Sequence, residues 1–425
     1  MTTVPLSRLD ELFLILDHCE EPWNVHFEAR VAGRLDGARL ACAVRAAAQR
    51  HPIARARLAA WRNGDYAYRW EIADQLDAVP LEIARCADAG ELAAARERLL
   101  GRSASLDDAP PFALLLAHGP GDGDTLVLNL HHAAGDGMAA ARLMRSILRA
   151  YAGAEDPVPP QDPLAVRDVR ALAGASSLSE RFVRSRAMAR HSAHQWGPPA
   201  RLAKDGGGDR AGYGVDTLVL TAEETAAVRE RRNSVWTVND VLLAALVIAC
   251  RRWNAEHGRL ARRVSLSMPV NLRPPEWRTE IVGNFASYVT VSDGLADDLP
   301  HALAVMGRQT RAIKRDGLAG VVVDLLAGNA LLTIGVKRRL PELIPLTGNR
   351  VIDTASLSNL GELEPFGDDV EGVWFSPPGR MPLGAALGAL THNGRLHLAL
   401  RYRHPQFGAS AAHAFMRRFR DVLLG

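Results

Sequence analysis

Lysine is nearly absent from this chain. Only three lysines, Lys204, Lys314 and Lys337, occur among its 51 lysine and arginine residues, so arginine carries almost all of the positive charge. This bias indicates the codon usage of a GC-rich genome. It also produces arginine clusters at 181–190 and 259–263, for which two interpretations stay open. They are solvated helix faces, or they contact an acidic partner, because the guanidinium fork binds phosphate and carboxylate well.

Cysteine is also scarce. Cys19, Cys42, Cys86 and Cys250 form no close pair and show no metal-ligand spacing, which argues against a disulfide framework and a cysteine metal site. We expect all four to be buried free thiols in a reducing cytoplasm.

Long hydrophobic runs are missing as well. The apolar segment 240–250 is far shorter than the ~20 residues that a transmembrane helix needs. The longer segment 317–335 is interrupted by Asp324 and Asn329, and it predicts a buried amphipathic helix. The N-terminus has no basic-then-apolar signal segment. We therefore expect a cytoplasmic protein without a membrane span.

The length and the order of the predicted elements indicate the fold class. A chain of 425 residues and 46.0 kDa is too long for one compact core, so two domains are expected. Strands and helices alternate irregularly, and the turn at 392–394, His-Asn-Gly, strongly predicts a β-hairpin. The pattern is typical of an α/β (mixed α+β) protein with mixed sheets. The predicted strands are 25–35, 53–58, 66–72, 112–117, 125–130, 214–220, 263–269, 286–291, 353–358, 370–375, 383–391 and 395–402.

The most informative segment is 131–137, His-His-Ala-Ala-Gly-Asp-Gly. It lies between an apolar run at 125–130 and a helical pattern that begins at Met138. A buried strand end presents side chains rigidly, and a helix N-terminus offers free N–H groups to developing negative charge. This arrangement predicts a site of proton-transfer chemistry.

Histidine and backbone amides are the groups that acyl transfer from a thioester needs. A histidine with a pKa of about 6.5 can remove the proton of the attacking nucleophile, which accelerates a reaction by about 10²–10⁴-fold. Backbone N–H groups at a helix start stabilise the tetrahedral oxyanion. A metal site of two histidines and a carboxylate is the alternative. Adjacent histidines on an extended strand point apart, however, and no third ligand cluster is nearby, so no metal is expected.

The segment 131–137 resembles the His-His-x-x-x-Asp-Gly signature of the condensation-domain superfamily of acyltransferases. This superfamily is similar in fold to chloramphenicol acetyltransferase and includes peptide-synthetase condensation domains, polyketide-associated acyltransferases and wax ester synthases. The resemblance implies two such lobes in a V-shape, with an active-site tunnel at their interface. We expect an N-terminal lobe at 1–165, a crossover linker at 166–213 and a C-terminal lobe at 214–425.

The resemblance also assigns roles to the residues of the motif. It implies that His132 is the catalytic base, whereas His131 points to the opposite side of the strand and serves packing or hydrogen bonding. Asp136 would be structural and would pair with an arginine. Gly137 would leave room for the acceptor, and its amide is a candidate oxyanion donor.

Three later segments resemble the same family and supply supporting residues. The best arginine partner for the aspartate is Arg273, which follows Asn271 in the segment 269–274. The segment 283–287 resembles a Gly-Asn-x-x-Ser strand near the tunnel, and the segment 358–361 resembles an Asn-containing turn close to the active histidine. Structural or oxyanion support is thus expected from Asn284, Ser287, Ser358 and Asn359. The Asn-Asp pair at 239–240 also fits the family, although a good helix N-terminus explains much of it.

The function implied by the resemblance is that of a free-standing acyltransferase in secondary metabolite or lipid biosynthesis. An acyl group would move from a coenzyme A or carrier-protein thioester to a hydroxyl acceptor, forming an ester. The thioester is a substrate, and no permanently bound cofactor is expected. The expected partners are an acyl or peptidyl carrier protein and a small alcohol or amine, and not a nucleic acid. Amide formation in nonribosomal peptide assembly and a non-catalytic relative that docks carrier proteins remain alternatives.

Overall fold

The fold is that of a computed structural model, which describes residues 1–17, 21–158, 162, 168–193, 195, 197–206, 208, 210–232, 235–260, 262–277, 280–343 and 350–425. The prediction for Cys19, and parts of the predicted crossover linker, lie outside these residues.

Helices and strands alternate along the described chain in mixed order. The strands are β1 Thr2–Pro5, β2 Asn24–Val31, β3 Ala56–Leu58, β4 Arg69–Ile72, β5 Leu81–Arg85, β6 Phe112–His118, β7 Asp124–His131, β8 Tyr213–Val219, β9 Val264–Asn271, β10 Ala286–Asp293, β11 Ala355–Glu362, β12 Val370–Ser376, β13 Ala385–His392 and β14 Arg395–Arg403. The helices are α1 Arg8–Asp17, α2 Gly37–Arg50, α3 Ala89–Leu100, α4 Gly137–Ala152, α5 Val169–Ala173, α6 Leu178–Ala193, α7 Ala222–Glu230, α8 Val238–Glu256, α9 Leu299–Arg315, α10 Leu318–Gly328, α11 Ile334–Lys337 and α12 Ala409–Leu424.

The N-terminal lobe is built on a five-stranded sheet in the order β12-β2-β7-β6-β5. Every residue of β7 is buried, as expected of a central strand, and this includes polar residues such as Asp124 and Asn129. The predicted hairpin between β6 and β7 is confirmed by their antiparallel pairing from Phe112–Leu130 to His118–Asp124. Helices α2 and α4 pack against each other, and α4 also packs against β2. The sheet thus delivers the end of β7 directly to the start of α4.

The C-terminal lobe is built on a six-stranded sheet in the order β10-β9-β11-β13-β14-β8. Strand β11 runs parallel to both β9 and β13, whereas the other pairs are antiparallel. The β13–β14 hairpin turns at Asn393 (φ 46°) and Gly394 (φ 73°), the two left-handed residues that its sequence predicted. Helix α8 is buried along most of its length and packs against α9 and α12. The predicted mixed α/β fold with two lobes is confirmed.

One strand crosses from one lobe to the other. Strand β12 lies in the part of the chain assigned to the C-terminal lobe, yet it pairs antiparallel with β2 of the N-terminal lobe, with Phe375 opposite Phe27. It forms the edge of the five-stranded sheet. The boundaries 1–165, 166–213 and 214–425 stay a prediction, but the 370–376 segment belongs to the first sheet by its hydrogen bonds.

Several local expectations were wrong or incomplete. The single helix expected over 317–335 ends at Gly328, where a short 3-10 turn follows. Helix α3 was not predicted, although Asp88 caps it by accepting a hydrogen bond from the Glu91 N–H. Cys42 is exposed instead of buried, because it lies on the solvent side of α2. Among the described helices, none combines the length and apolar character that spanning a bilayer requires.

Candidate active site

The backbone of His132 is clamped between the two lobes. His132 follows the last residue of β7, and its N–H donates to the Trp23 carbonyl at 2.9 Å. Its carbonyl oxygen accepts from the Asn284 side-chain amide at 2.9 Å. Trp23 precedes β2 in the first lobe, and Asn284 precedes β10 in the second. The predicted supporting residue Asn284 therefore fixes the main chain of the histidine.

The imidazole ring of His132 lies between two aromatic side chains. The Phe13 ring of α1 stacks on it at 3.9 Å between centroids, with an interplanar angle of 15°. Its Nε2 lies 3.1 Å from the hydroxyl oxygen of Tyr288 on β10. Only 3% of the residue is exposed. These two contacts leave the Nε2 atom facing a hydroxyl group.

Burial determines the protonation state of this pair. Desolvation lowers the pKa of His132 to about 4, although its own backbone and the charge of Asp136 act in the opposite direction. Desolvation also raises the pKa of Tyr288, so its phenol is protonated. At pH 7 the imidazole is therefore neutral. We assign its proton to Nδ1, because the phenol O–H then has Nε2 as its acceptor.

His131 is turned to a different set of partners. Its Nδ1 accepts from the Ala133 N–H at 3.1 Å, and its Nε2 lies 3.3 Å from a carboxylate oxygen of Asp17. Burial acts to raise the pKa of Asp17, but the hydrogen bond from His131 and the N–H of Trp23 lower it overall. The two adjacent histidines thus contact different partners, as side chains on an extended strand do.

Asp136 uses both carboxylate oxygens in four hydrogen bonds. As N-cap of α4 it accepts from the Ala139 N–H at 3.0 Å. It also accepts from Arg273 through Nη1 at 2.7 Å and Nη2 at 2.9 Å, and from the Phe285 N–H at 2.9 Å. Burial acts to raise the pKa of Asp136, but the charge and hydrogen bonds of Arg273 hold it below its usual value. The structure brings together the aspartate and the arginine that the sequence suggested as its partner.

Arg273 is itself held on several sides. Asn271 accepts from the Arg273 N–H at 3.0 Å and from its Nη1 at 3.3 Å, so this predicted residue orients the guanidinium. Nη2 also donates to the Gly283 carbonyl at 2.8 Å. The guanidinium lies 4.6 Å from the Phe285 ring centroid, in a cation–π contact. Asn271 and Arg273 therefore act on the site through Asp136.

The reason for glycine at position 137 differs from the expected one. A Cβ atom on Gly137 would lie 2.7 Å from the Phe375 ring and 2.9 Å from a methyl group of Leu360. The absent side chain makes room for these two residues of β12 and β11 and not for an acceptor. Gly137 is also the first residue of α4, where the N–H groups have no partner within the helix.

The other three predicted supporting residues have different surroundings. Ser358 lines a cavity beside the site. Ser287 faces the other way, because its hydroxyl donates to the Ala319 carbonyl at 2.7 Å and ties β10 to α10. Asn359 lies within strand β11 and not in the expected turn, at a register shift of the strand, and its side chain accepts from the Gly361 N–H at 2.9 Å. Of the three, only Ser358 is placed toward the cavity.

This cavity has a volume of about 290 Å³ and lies between the lobes. Helix α1 lines one side of the cavity, and strands β9, β10 and β11 line the opposite side. Its lining residues are mostly apolar: Leu12, Phe13, Leu16, Trp23, Ser267, Pro269, Tyr288, Val351, Ile352, Asp353, Ser356, Ser358, Pro377, Pro378, Arg380 and Leu383. The His132 ring, expected in the tunnel, lies one layer behind Phe13 and Tyr288 instead.

Sequence reasoning missed Phe13, Trp23, Asp17 and Tyr288. Phe13 and Trp23 carry no signal, because apolar residues of α1 and of a loop look the same whether they form core or cavity. For Tyr288 the motif pointed the wrong way, because it placed Ser287 at the site and thus its neighbour on the other face of the strand. Since Ser287 points toward α10, strand alternation puts Tyr288 on the opposite face of β10, toward the cavity.

The described residues contain no group of three or more histidine, cysteine, aspartate or glutamate side chains that could hold a metal ion. The site is built instead from one neutral imidazole, one neutral phenol and one buried ion pair. Such an arrangement can accept a proton from a hydroxyl or amine at Nε2.

Comparisons of the sequence with known proteins agree with one another. A family model described as "Condensation domain" matches residues 3–317. "Uncharacterized protein Rv2305" of Mycobacterium tuberculosis (strain ATCC 25618 / H37Rv) is 37% identical over 436 residues, which cover 99% of each chain. "Surfactin synthase subunit 1" of Bacillus subtilis (strain 168) is 25% identical over 325 residues, which cover 71% of this chain and 9% of that protein.

Comparisons with solved structures show the same fold. The first condensation domain of the calcium-dependent antibiotic synthetase matches with a TM-score of 0.74 and 15% identity, covering 100% of this chain and 96% of that one. The epimerization domain from the third module of tyrocidine synthetase B matches with a TM-score of 0.68 and 18% identity, over 100% and 96% of the two chains.

Proposed function

The chain belongs to the condensation-domain family, and on that basis we propose that it is an acyltransferase that forms esters. It transfers an acyl group from a coenzyme A or carrier-protein thioester to a hydroxyl acceptor, without a resident cofactor. The observation that carries the proposal is the neutral His132, whose Nε2 already forms a hydrogen bond with a hydroxyl group. An acceptor alcohol needs that same contact.

The reaction follows from the position of this imidazole. The acceptor O–H donates to Nε2 of His132, which takes the proton as the oxygen attacks the thioester carbonyl carbon. The carbonyl π electrons move to oxygen, and a tetrahedral oxyanion forms. When it collapses, the C–S bond breaks and the leaving sulfur receives the proton from the imidazolium. No covalent acyl-enzyme is needed, because the thioester is already activated.

Oxyanion stabilisation is assigned to the start of α4 and to Ser358. The Gly137 N–H lies in the first turn of that helix, where the helix dipole favours negative charge. Ser358 brings a hydroxyl to the cavity wall. Donors of this kind are each worth about 10²–10³-fold in rate where they meet the developing charge.

The inter-lobe cavity supports an apolar substrate. Most of its lining side chains are aliphatic, aromatic or proline, and two of them, Phe13 and Tyr288, also contact the His132 ring. Burial of apolar area contributes about 25 cal/mol per Å², so a hydrocarbon chain binds here more favourably than a charged one. We propose that this cavity holds the acceptor alcohol next to the base.

Amide formation is the second candidate function. The chain matches part of surfactin synthase subunit 1 at 25% identity, and this match favours an amine acceptor. His132 would accept a proton from an amine as readily as from an alcohol, so the base does not distinguish the two.

The test is thiol release from acyl-coenzyme A and from acyl carrier protein, with a panel of alcohols and amines. We expect ester products with the native protein and a loss of about 10²–10⁴-fold in His132→Ala. The matched control is His413→Ala, an exposed histidine whose side chain is 54% accessible. Equal rates in the native protein and His132→Ala would refute the general base. No thiol release by the native protein with any pair would favour the carrier-docking alternative.

A further inference from the structure

We propose that Tyr288 is the acceptor gate of this site. Its hydroxyl occupies the position of the acceptor hydroxyl on His132 until a bound acceptor displaces it, and it keeps water off the base meanwhile. This inference rests on the proposed acyl transfer, because it concerns the proton acceptor of that reaction.

Tyr288 connects the cavity with the base, because it lines the cavity and also contacts His132. Its hydroxyl oxygen lies 3.1 Å from Nε2 of His132, and its side chain lines the cavity. Phe13 packs against it edge to face at 5.7 Å between centroids while stacking on the imidazole. The phenol thus stands between the substrate space and the proton acceptor.

Among the described residues, the contacts of His132 leave its Nε2 lone pair as the point at which it can accept a proton. A neutral imidazole with its proton on Nδ1 has one lone pair, in the ring plane at Nε2, and the Tyr288 hydroxyl faces it. Phe13 covers one ring face. The Nδ1 atom is buried, and no hydrogen-bond partner for it lies among the described residues. An acceptor that hydrogen-bonds to Nε2 must therefore take the position that the Tyr288 hydroxyl now holds.

The phenol can leave this position at modest cost. His132 is the hydrogen-bond partner that the described structure gives its hydroxyl, so only one neutral hydrogen bond is broken. An acceptor alcohol makes an equivalent bond to Nε2, so the exchange of one hydrogen bond for another costs little. Burial raises the pKa of Tyr288, which keeps the phenol protonated.

Water is the competitor that the gate excludes. A thioester bound near an uncovered His132 would be hydrolysed by any water that hydrogen-bonds to Nε2. Removing the Tyr288 hydroxyl leaves Nε2 of His132 without its hydrogen-bond partner, so water that enters from the adjoining cavity no longer competes with the phenol for that nitrogen. An apolar acceptor moves the tyrosine because it also fills the cavity, whereas a single water gains nothing there.

The decisive variant is Tyr288→Phe, which keeps the ring and removes the hydroxyl. We expect acceptor-independent thioester hydrolysis to rise roughly 5- to 10-fold, the factor that corresponds to one neutral hydrogen bond. The KM for the acceptor should fall and kcat for transfer should stay nearly constant, since the acceptor no longer has to displace the hydrogen bond between Tyr288 and His132. The matched control is Tyr66→Phe, at an exposed tyrosine outside the site, which should change neither rate.

Two outcomes overturn the gate. A kcat for transfer that drops in Tyr288→Phe as far as in His132→Ala would make the phenol a proton relay. If Tyr288→Phe changes neither hydrolysis nor the KM for the acceptor, the Tyr288 hydroxyl has no role at the base.

A second measurement does not need turnover. Carbethoxylation of His132 by diethyl pyrocarbonate, followed by peptide mass spectrometry, should be slow in the native protein and severalfold faster in Tyr288→Ala. The exposed His413, outside the site, serves as the internal reference. Unchanged labelling refutes the gate even if transfer is observed. Faster labelling in a protein that transfers no acyl group would instead refute the proposed function.

Discussion

Asp136 and Arg273 lie 137 positions apart in the chain and meet in two nearly parallel hydrogen bonds of 2.7 and 2.9 Å. The aspartate caps the helix that starts at the site, and the arginine follows strand β9 of the other lobe. Both side chains are almost fully buried. The pair therefore fixes the position of the two lobes relative to each other next to His132.

Asp136→Asn should destabilise the protein strongly. It keeps the size of the side chain but leaves the buried charge of Arg273 without its counterion. Breaking a buried pair in this way costs about 3–5 kcal/mol, and the urea midpoint should fall accordingly. The control is Asp316→Asn, whose partner Arg315 is exposed, and it should be neutral. A native midpoint in Asp136→Asn would contradict the structural role of this residue.

Gly137→Ala should destabilise the junction between the lobes. The new Cβ would meet Phe375 at 2.7 Å and Leu360 at 2.9 Å, so the structure must shift at a cost of about 1–3 kcal/mol. Gly64→Ala is the control, because a Cβ there meets nothing within 4 Å. We expect Gly137→Ala/Phe375→Leu to recover part of the loss in thermal denaturation. No recovery would mean that the glycine serves another purpose.

The pH dependence of transfer should show an unusually low acidic limb. Because burial lowers the pKa of His132 to about 4, the base stays neutral from pH 8 down to about 5, and kcat/KM should halve near pH 4. The same shift weakens folding in acid, since the unfolded histidine binds its proton at about 6.5 and the folded one only near 4. Stability is thus lost as pH falls through that interval. An acidic limb near pH 6.5 would show an accessible imidazole.

Ser358→Ala should lower kcat more than it changes KM. A hydroxyl that meets the oxyanion acts only in the transition state, so a loss of roughly 10–10³-fold in kcat is expected. Ser356→Ala is a matched control, because Ser356 lines the same cavity from the same face of β11. Equal losses in both variants would indicate substrate packing instead of oxyanion stabilisation.

Much of the fold could be predicted because its signals are local. The Asn-Gly turn before β14 requires left-handed residues, and the mostly apolar segment 125–130 of β7 favours a central strand. The pairing of β12 with β2 could not be predicted from such signals, since pairing between distant segments leaves no local pattern. Helix α3 was missed because only its C-terminal turns are buried and its apolar periodicity is weak.

The motif residues of the site and its ion pair could be predicted from the sequence. The aromatic side chains that surround the histidine could not. The motif identified His132 and Asp136, and the Asn-x-Arg segment identified Arg273. Burial of the imidazole behind Phe13 and Tyr288 depends on which faces of α1 and β10 meet, which is a tertiary property. For the same reason Ser287, grouped with the site by its motif, points to α10 instead.

The exchange of β12 between the lobes limits how this protein can be divided or recombined. A gene fragment that stops before 370 would leave β2 as an open edge, with a row of free N–H and C=O groups that other chains can pair with. A chimera joined at the linker would combine β2 from one parent with β12 from the other, across the Phe27–Phe375 register. Substrate-swapped hybrids of this family member therefore need β2 and β12 from the same parent, with additional crossover points on both sides of 370–376.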